Sequence, residues 1–240
     1  MPIDLTDYAH NAADRGWGSG WPNCVAGSDL ATVVSARSGT SLAVRKALAV
    51  LVDTLVDWTE RPEGGNYRLK PEQCGGFNCR PIDNTSVASN HSWAIAVDLN
   101  WKDNPFSFDP QHTVTDLVAT VWKWYGFAWG GNYHGKKDWM HFEFMGTPAD
   151  AAERTQAALV DLAVGAVPEL PLNLDSAGPA VAMLQARLDR DFPDFAHLVV
   201  DGDYGPKTKT AVREFQHRAG LAETGDADRI TLEKLGLVSP

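Results

Sequence analysis

Two stretches decide the fold: Ser89-Asn-His-Ser-Trp-Ala-Ile-Ala-Val-Asp98 and Asp138-Trp-Met-His-Phe-Glu143. The end of the first stretch contains isoleucine and valine, which predicts a strand over residues 93–99. The residues 141–144 predict a second short strand. Both stretches therefore carry histidines and carboxylates in or beside a strand. Period-2 alternation predicts that the small Ala94 and Ala96 share a strand face with Asp98, where they would leave room for a substrate.

These polar residues form a candidate metal site. Two histidines and one carboxylate can hold a zinc ion and leave a position open for water. His91, Asp98 and His141 can supply that set, and Asp138 can take and return a proton in hydrolysis. Because His91 is an odd number of residues from Asp98, it must reach the metal from the turn before the strand. Spacing alone leaves the alternative of scattered polar residues open, since no His-Glu-x-x-His or Cys-x-x-Cys motif is present.

Helical periodicity flanks the two stretches. We predict helices over residues 41–60, 113–125 and 148–164. Thr147 is the expected cap of the third helix, and Pro148 stands in its first turn. The mixed order of elements favours an α+β fold, with a small antiparallel sheet flanked by helices, over a repeating βαβ arrangement.

The sequence changes character near residue 165. Two prolines in residues 165–171 predict a linker. Beyond it, predicted helices over 179–190 and 206–219 each follow a glycine, and a Gly-Asp-x4-Thr pattern occurs at Gly202 and again at Gly225. We therefore expect one α+β domain over residues 1–164, a linker over 165–173, and a small domain of about three helices over 174–240.

Charge and hydropathy exclude several classes of protein. The chain has 21 basic and 31 acidic residues, a net charge of −10, which argues against nucleic-acid binding. No apolar run approaches the roughly 18 residues that a membrane span needs, so we expect no membrane insertion. The first twenty residues contain three aspartates and no apolar core, so we expect no signal peptide. We also expect a monomer.

Three cysteines are too few for a disulfide framework. Cys74 and Cys79 are close enough to close one small loop. Without an export signal, however, the sequence favours reduced thiols. Cys24 defines an alternative mechanism, in which a histidine-activated thiol acts as the nucleophile of an amidase, although no local motif supports it.

The pattern Ser89-x-His91-x-x-Ala94-x-Ala96-x-Asp98, followed by Asp138-x-x-His141, resembles the VanY-like M15 zinc peptidases. This group contains D-alanyl-D-alanine carboxypeptidases and L-alanyl-D-glutamate endopeptidases, which cut the stem peptides of peptidoglycan. The upstream Gly75-Gly-Phe-Asn-Cys-Arg80 is similar to the Gly-Gly-Tyr-x-x-Arg segment of the same family. The resemblance runs from about residue 40 to residue 146. One departure is Ala94, where the family usually has glycine.

The resemblance implies a zinc cofactor and a role for each matching residue. The implied ligands are His91, Asp98 and His141, and the implied general base is Asp138. Arg80 is implied to contact the substrate and to stabilise a carboxylate or developing oxyanion. The other candidates, which would contact the substrate or support the ligands, are Ser89, Trp93, Trp129 and Glu143.

The last part of the chain resembles the three-helix peptidoglycan-binding domain of many cell-wall hydrolases. Together the two resemblances imply a peptidoglycan hydrolase tethered to its polymeric substrate. The first choice of reaction is L-alanyl-D-glutamate endopeptidase activity in a phage endolysin, which would stay in the host cytoplasm until it is released to act on the wall. The alternatives are a D-alanyl-D-alanine carboxypeptidase or endopeptidase, and a catalytically inactive wall-binding protein.

Overall fold

The computed structural model describes residues 3–6, 11–164, 166 and 168–238. The chain divides into two compact units: Met1–Thr115 with Tyr125–Leu159, and Asp116–Trp124 with Val160–Pro240. The α+β class predicted from the sequence is confirmed. The predicted domain boundaries stay a prediction. Two positions of the predicted linker, Gly165 and Val167, lie outside the described residues.

Short antiparallel strands make up the β structure. They are β1 (Leu30–Val34), β2 (Ser41–Arg45), β3 (Ala96–Asp98), β4 (Phe106–Ser107), β5 (Phe127–Trp129), β6 (Lys137–Asp138) and β7 (His141–Phe144). The pairs β1–β2 and β4–β6 are two-stranded, and the central sheet has the order β3-β7-β5. In that sheet Asp98 is the direct register partner of His141, which brings the two predicted stretches together.

The helices are α1 (Ala49–Glu60), α2 (Asp116–Trp124), α3 (Pro148–Asp161), α4 (Pro179–Asp191), α5 (Pro206–Ala219) and α6 (Arg229–Lys234). The helices predicted for the last part of the chain are confirmed as α4 and α5, to within one residue. The helices predicted over 113–125 and 148–164 are present but shorter, as α2 and α3. Thr147 caps α3 as expected, because its hydroxyl accepts a hydrogen bond of 3.2 Å from the backbone N–H of Asp150.

The helix predicted over residues 41–60 is wrong at its beginning. Residues Ser41–Arg45 form strand β2, which pairs with β1, and the chain becomes α-helical only at Ala49. Leu42 and Val44 are both buried and have period-2 spacing, which suits a strand with one face on the core. Val44 also fits the helical stripe of α1, and that coincidence extended the predicted helix too far.

The predicted strand over residues 93–99 is shorter than expected. A 3-10 turn, Asn90–Trp93, comes first, and the strand proper is β3. Between them Ala94 adopts a left-handed backbone conformation with φ of 58°. It therefore precedes the strand, contrary to the expectation that it shares a strand face with Asp98. This conformation favours glycine, which gives a physical reason for the glycine usually found here in the family that the sequence resembles.

The cysteine predictions are wrong. Cys24 and Cys79 form a disulfide with a Cα–Cα distance of 5.8 Å, and Cys74 is the free, buried cysteine. Cys74 packs its sulfur 3.4 Å from Asn100 Oδ1, so it faces the interior while Cys79 faces the N-terminal loop. A disulfide-bonded Cys24 has no thiol to act as a nucleophile, which removes the structural basis of the amidase alternative.

The second unit has an apolar core. Its side chains come from the three helices α4–α6 and the segments around them: Leu172, Val181, Leu184, Leu188, Ala196, Tyr204, Ala211, Val212, Phe215, Ala227, Leu232 and Leu235. Leu172 lies in the predicted linker but is buried, and its backbone pairs with that of Ala227. Within the described residues, no helix is long and apolar enough to cross a membrane.

The internal repeat seen in the sequence has a structural basis. The amide of Gln185 in α4 accepts a hydrogen bond from Gly202 N–H and donates one to the hydroxyl of Thr208. Gln216 in α5 makes the equivalent bonds, from Gly225 N–H and to the hydroxyl of Thr231. Each Gly-Asp-x4-Thr copy is thus held by a buried glutamine of the preceding helix. The two glutamines and the two threonines are buried, so their role is structural.

Candidate metal centre

Three elements bring the predicted ligands together. His91 lies in the 3-10 turn Asn90–Trp93, Asp98 ends β3 and His141 begins β7. His91 Nε2 is 3.2 Å from Asp98 Oδ2, and His141 Nδ1 is 3.0 Å from Asp98 Oδ1. The two imidazole nitrogens are 3.2 Å apart. The sequence expectation that His91 approaches from a turn before the strand agrees with this placement.

The hydrogen bonds of each imidazole determine which nitrogen faces the centre. His91 Nδ1 is 2.6 Å from the carbonyl oxygen of Gly76, which can only accept, so this nitrogen carries the proton. On His141 the outward nitrogen, Nε2, is 3.4 Å from a carboxylate oxygen of Glu143. The inward nitrogens of both rings can therefore present lone pairs to the centre.

The donor set fits a zinc ion. Two lone pairs and a carboxylate only about 3 Å apart repel one another unless a cation or a proton lies among them. Without a metal, the carboxylates of Asp98 and Glu143 overcome burial and raise the pKa of His141 well above its usual value. Although burial opposes it, the pKa of Asp98 lies far below its usual range because His91 and His141 are adjacent. The site therefore favours positive charge, and two imidazoles with one carboxylate are ligands typical of zinc.

Glu143 is a buried carboxylate beside this centre. Its Oε1 accepts a hydrogen bond of 2.5 Å from the hydroxyl of Tyr133, and its Oε2 accepts one of 2.5 Å from the side-chain amide of Asn90. Burial raises its pKa, but these donors and His141 lower the pKa to about 2. Glu143 is thus ionised and supports the ligand His141 from behind, rather than lying on the surface.

Asp138 lies at the end of β6, next to the ligands. Its position three residues before the strand predicted at His141 suggests a loop, but this expectation is wrong, because Asp138 belongs to β6, which pairs with β4. Among the described residues no donor bonds its buried Oδ1. Burial raises the pKa of Asp138. The nearby charges act in both directions, because His141 and His91 lower this pKa while Asp98 raises it. A buried carboxylate oxygen without a partner, beside a candidate metal centre, is suited to proton transfer.

The guanidinium of Arg80, the predicted substrate-binding cation, is bound to a neighbouring carboxylate. With 39% of the side chain exposed, it is 3.2 Å from the carboxylate of Asp83. The carbonyl of Arg80 accepts a hydrogen bond from Ser89 N–H. The backbone of Arg80 is therefore bonded to Ser89, the residue that caps the turn carrying His91. The guanidinium itself is bound to the exposed Asp83.

The three remaining candidates support the structure around the site. The hydroxyl of Ser89 accepts a hydrogen bond from His91 N–H and so caps the turn that carries this ligand. Trp93 is buried and donates to the carbonyl of Gly18 over 2.8 Å. Trp129 is buried and donates to the carbonyl of Trp139. Both indoles are closed off from solvent.

Sequence reasoning missed several supporting residues: Gly76, Asn90 and Tyr133. Gly76 orients His91 through its carbonyl, and a Cβ at Gly76 would collide with the backbone of Ala43. Asn90 precedes His91, but its bond to Glu143 spans 53 residues. No local pattern could have indicated these contacts, because they exist only once β3 and β7 have paired.

The arrangement defines a class of site. Two imidazoles and a carboxylate converge on one point, and next to them lies Asp138, whose buried Oδ1 accepts no hydrogen bond from the described residues. This is the minimal set of a mononuclear metal centre that activates water for hydrolysis. This class of site follows from the geometry alone.

Residues 83–144 match the family model of D-alanyl-D-alanine carboxypeptidases of the M15 peptidases, and residues 177–235 match that of a peptidoglycan-binding domain. A zinc D-Ala-D-Ala carboxypeptidase of Streptomyces albus G is 42% identical over 64 residues, which are 27% of this chain and 25% of the relative. The chain thus matches about a quarter of that relative's length. No solved structure gives a significant match.

These matches confirm both resemblances stated from the sequence. The first matched segment contains the three candidate ligands and Asp138, while Arg80 lies just before it. The second contains α4, α5 and α6. The chain therefore combines a segment similar to M15 peptidases with a segment similar to peptidoglycan-binding domains.

Proposed function

We propose that this protein is a zinc-dependent peptidase that hydrolyses the stem peptides of peptidoglycan. One observation carries the proposal: His91, Asp98 and His141 converge within 4.8 Å of one another, beside the buried Oδ1 of Asp138, which no described donor bonds. The family match and the zinc carboxypeptidase from Streptomyces albus G support the same chemistry.

The residues of the chain divide the work of hydrolysis. Zinc, when bound by the two histidines and Asp98, supplies Lewis-acid chemistry that polarises a carbonyl and acidifies water. Asp138 takes the proton from the attacking water and then gives it to the leaving amine, and its raised pKa helps it to hold that proton. Arg80 exchanges its exposed partner Asp83 for the substrate oxyanion, which costs little because exposed ion pairs are weak.

The second unit is proposed to hold the enzyme on the wall. Its match to a peptidoglycan-binding domain supports this role. A tether to a polymer raises the local concentration of scissile bonds without any change in the active site. We retain the domain limits 1–164 and 174–240, with a linker over 165–173, and a monomeric state as parts of the proposal.

Two bonds are candidates for cleavage. The form of the sequence motifs favours the L-Ala–D-Glu bond and a phage endolysin, held in the host cytoplasm until release. The description of the matched family and the curated relative favour the terminal D-Ala–D-Ala bond instead. The Cys24–Cys79 disulfide is compatible with work outside the reducing cytoplasm, where such bonds persist.

Mass spectrometry of purified peptidoglycan digested by the full chain tests the proposal. New D-Glu amino termini support the endopeptidase, and released D-Ala supports the carboxypeptidase. Either product must disappear with a chelator and in Asp138→Asn. Cleavage that survives both treatments would overturn the zinc mechanism. Wall binding without cleavage, on several wall types, would favour an inactive binder.

A further inference from the structure

The small β4–β6 pair places three side chains on one face. Phe106 is the direct register partner of Asp138, and directly paired residues project to the same side of an antiparallel pair. Lys136 comes two residues before Asp138, immediately ahead of β6. Its contact with the ring of Phe106 places the ammonium of Lys136 on that side as well. An aromatic ring and an ammonium group thus accompany the proposed base.

The ammonium of Lys136 is fixed on that aromatic ring. Its Nζ lies 4.0 Å from the centroid of Phe106, within the range of a cation–π interaction. Phe106 is 51% exposed, so the pair lies at the surface of the site. A ring orients the ammonium but does not neutralise it, because the ring carries no net charge.

Among the described residues, Lys70 and Arg80 are already paired with carboxylates. Lys70 binds Asp103 over 2.5 Å, and Arg80 binds Asp83. The neighbouring Lys137 donates to a backbone carbonyl, that of Tyr133. Lys136 has no carboxylate within ion-pair distance in the part of the chain that the structure describes. In a chain with a net charge of −10, Lys136 is thus a positive charge without a described carboxylate partner, and it lies on the ring of Phe106, the register partner of Asp138.

We propose that Lys136, held on Phe106, forms a subsite for a carboxylate of the stem peptide and thereby determines substrate specificity. The inference rests on the proposed function. Stem peptides carry free carboxylates, and an oriented ammonium forms a charge-assisted hydrogen bond with a carboxylate. The subsite acts in substrate binding, since proton transfer is assigned to Asp138.

Two sources can supply the carboxylate: the α-carboxylate of D-Glu and the C-terminal carboxylate of the stem. Synthetic stem peptides separate them, with each carboxylate in turn replaced by its carboxamide. We would measure kcat and KM for the wild type, Lys136→Gln, Phe106→Leu and the control Lys46→Gln. Lys46 is exposed and lies in a 3-10 turn between β2 and α1. Lys46→Gln removes one positive charge, as Lys136→Gln does, and therefore controls for the change in net charge.

In Lys136→Gln we expect KM for the recognised carboxylate peptide to rise about tenfold, as for the loss of one charged hydrogen bond. We expect kcat to stay within about twofold, because a binding contact alone is lost. KM for the matching carboxamide should not change. Phe106→Leu should show part of the effect, and Lys46→Gln none.

The inference is overturned if Lys136→Gln and Lys46→Gln give the same KM for every peptide, or if the wild type does not distinguish carboxylate from carboxamide. If the wild type cleaves no peptide, the proposed function fails instead. Equilibrium binding of the same peptides then decides on the subsite independently: equal affinity of wild type and Lys136→Gln for the carboxylate peptides rejects it.

Discussion

Glu143 lies two residues after His141 on β7, and its carboxylate is 3.4 Å from the outward nitrogen of that imidazole. Both side chains lie on the same face of the strand because its period is two. The register partner of His141 is Asp98. One strand therefore supplies a ligand together with the carboxylate that orients it, and the neighbouring strand supplies the second ligand.

We expect Glu143→Gln to weaken zinc binding by about 10–100-fold, as for other residues that support metal-bound histidines. Glutamine keeps the shape of the side chain but removes the charge that favours a cation next to it. Tyr133→Phe removes one hydrogen bond to the carboxylate and should have a smaller effect. Competition with a chromophoric chelator measures the affinity.

The control for this prediction is Glu63→Gln, since Glu63 is exposed and its substitution makes the same change in charge. Zinc affinity in this variant should equal that of the wild type. A zinc affinity of Glu143→Gln equal to that of Glu63→Gln would show that Glu143 has no role in orienting His141.

We expect Asp138→Asn to reduce kcat by about 10²–10⁴-fold, the usual contribution of a general acid–base group. Asparagine cannot take up the proton of the attacking water. Zinc content should remain at the wild-type level, because Asp138 is not among the three convergent ligand residues. Metal analysis and kinetics on a synthetic stem peptide measure both quantities. Full activity in Asp138→Asn would assign the proton transfer to another group.

The metal centre was predictable because its residues lie in short, ordered motifs. Asp98 and His141 belong to stretches whose sequence patterns predict strands, and these strands are present in the structure as β3 and β7. The hydrogen bonds that orient the ligands were not predictable. The bond from Asn90 to Glu143 depends on the register of the sheet, and no local pattern in the sequence determines that register.

Two predictions about the fold were wrong because they depended on contacts between residues that are distant in the sequence. Val44 fits both a helical stripe and a strand alternation, and only pairing with β1 decides between them. The disulfide was missed because Cys24 and Cys79 are separated by 55 residues. Cys74 is closer in sequence, but it is buried. Tertiary contacts, which one sequence does not display, settle both cases.

We expect reduction of the Cys24–Cys79 disulfide to destabilise the protein. For a sequence separation of 55 residues, loss of the cross-link costs about 4 kcal/mol in the chain-entropy account. The bond also fixes the segment next to Asn78, whose N–H donates to the carbonyl of His91 over 3.1 Å. Reduction should therefore lower zinc affinity as well as the Tm, measured by calorimetry with and without a reductant.

A double variant, Cys24→Ala with Cys79→Ala, serves as the control and should not respond to reductant. Burial raises the pKa of the Cys74 thiol, so Cys74 should resist alkylation in the native protein. Alkylation after denaturation without reductant should label one cysteine. Three labelled cysteines would show that the disulfide is absent.

We expect Gln185→Leu to destabilise the second unit by about 2–4 kcal/mol. Gln185 is 2% exposed and bonds the backbone N–H of Gly202, the carbonyl of Asp203 and the hydroxyl of Thr208. Leucine fills similar space but leaves these groups buried without partners, at about 1–3 kcal/mol for each group so affected. Thermal unfolding of the full chain measures the loss.

The equivalent position in the second repeat gives an internal comparison. Gln216→Leu removes the bond from Gly225 N–H and should destabilise the same unit to a similar extent. If this unit tethers the enzyme, each variant should lose pelleting with insoluble peptidoglycan at temperatures where the unit is unfolded. Full pelleting by unfolded variants would place wall binding elsewhere in the chain, because a binding surface of a folded unit is lost when that unit unfolds.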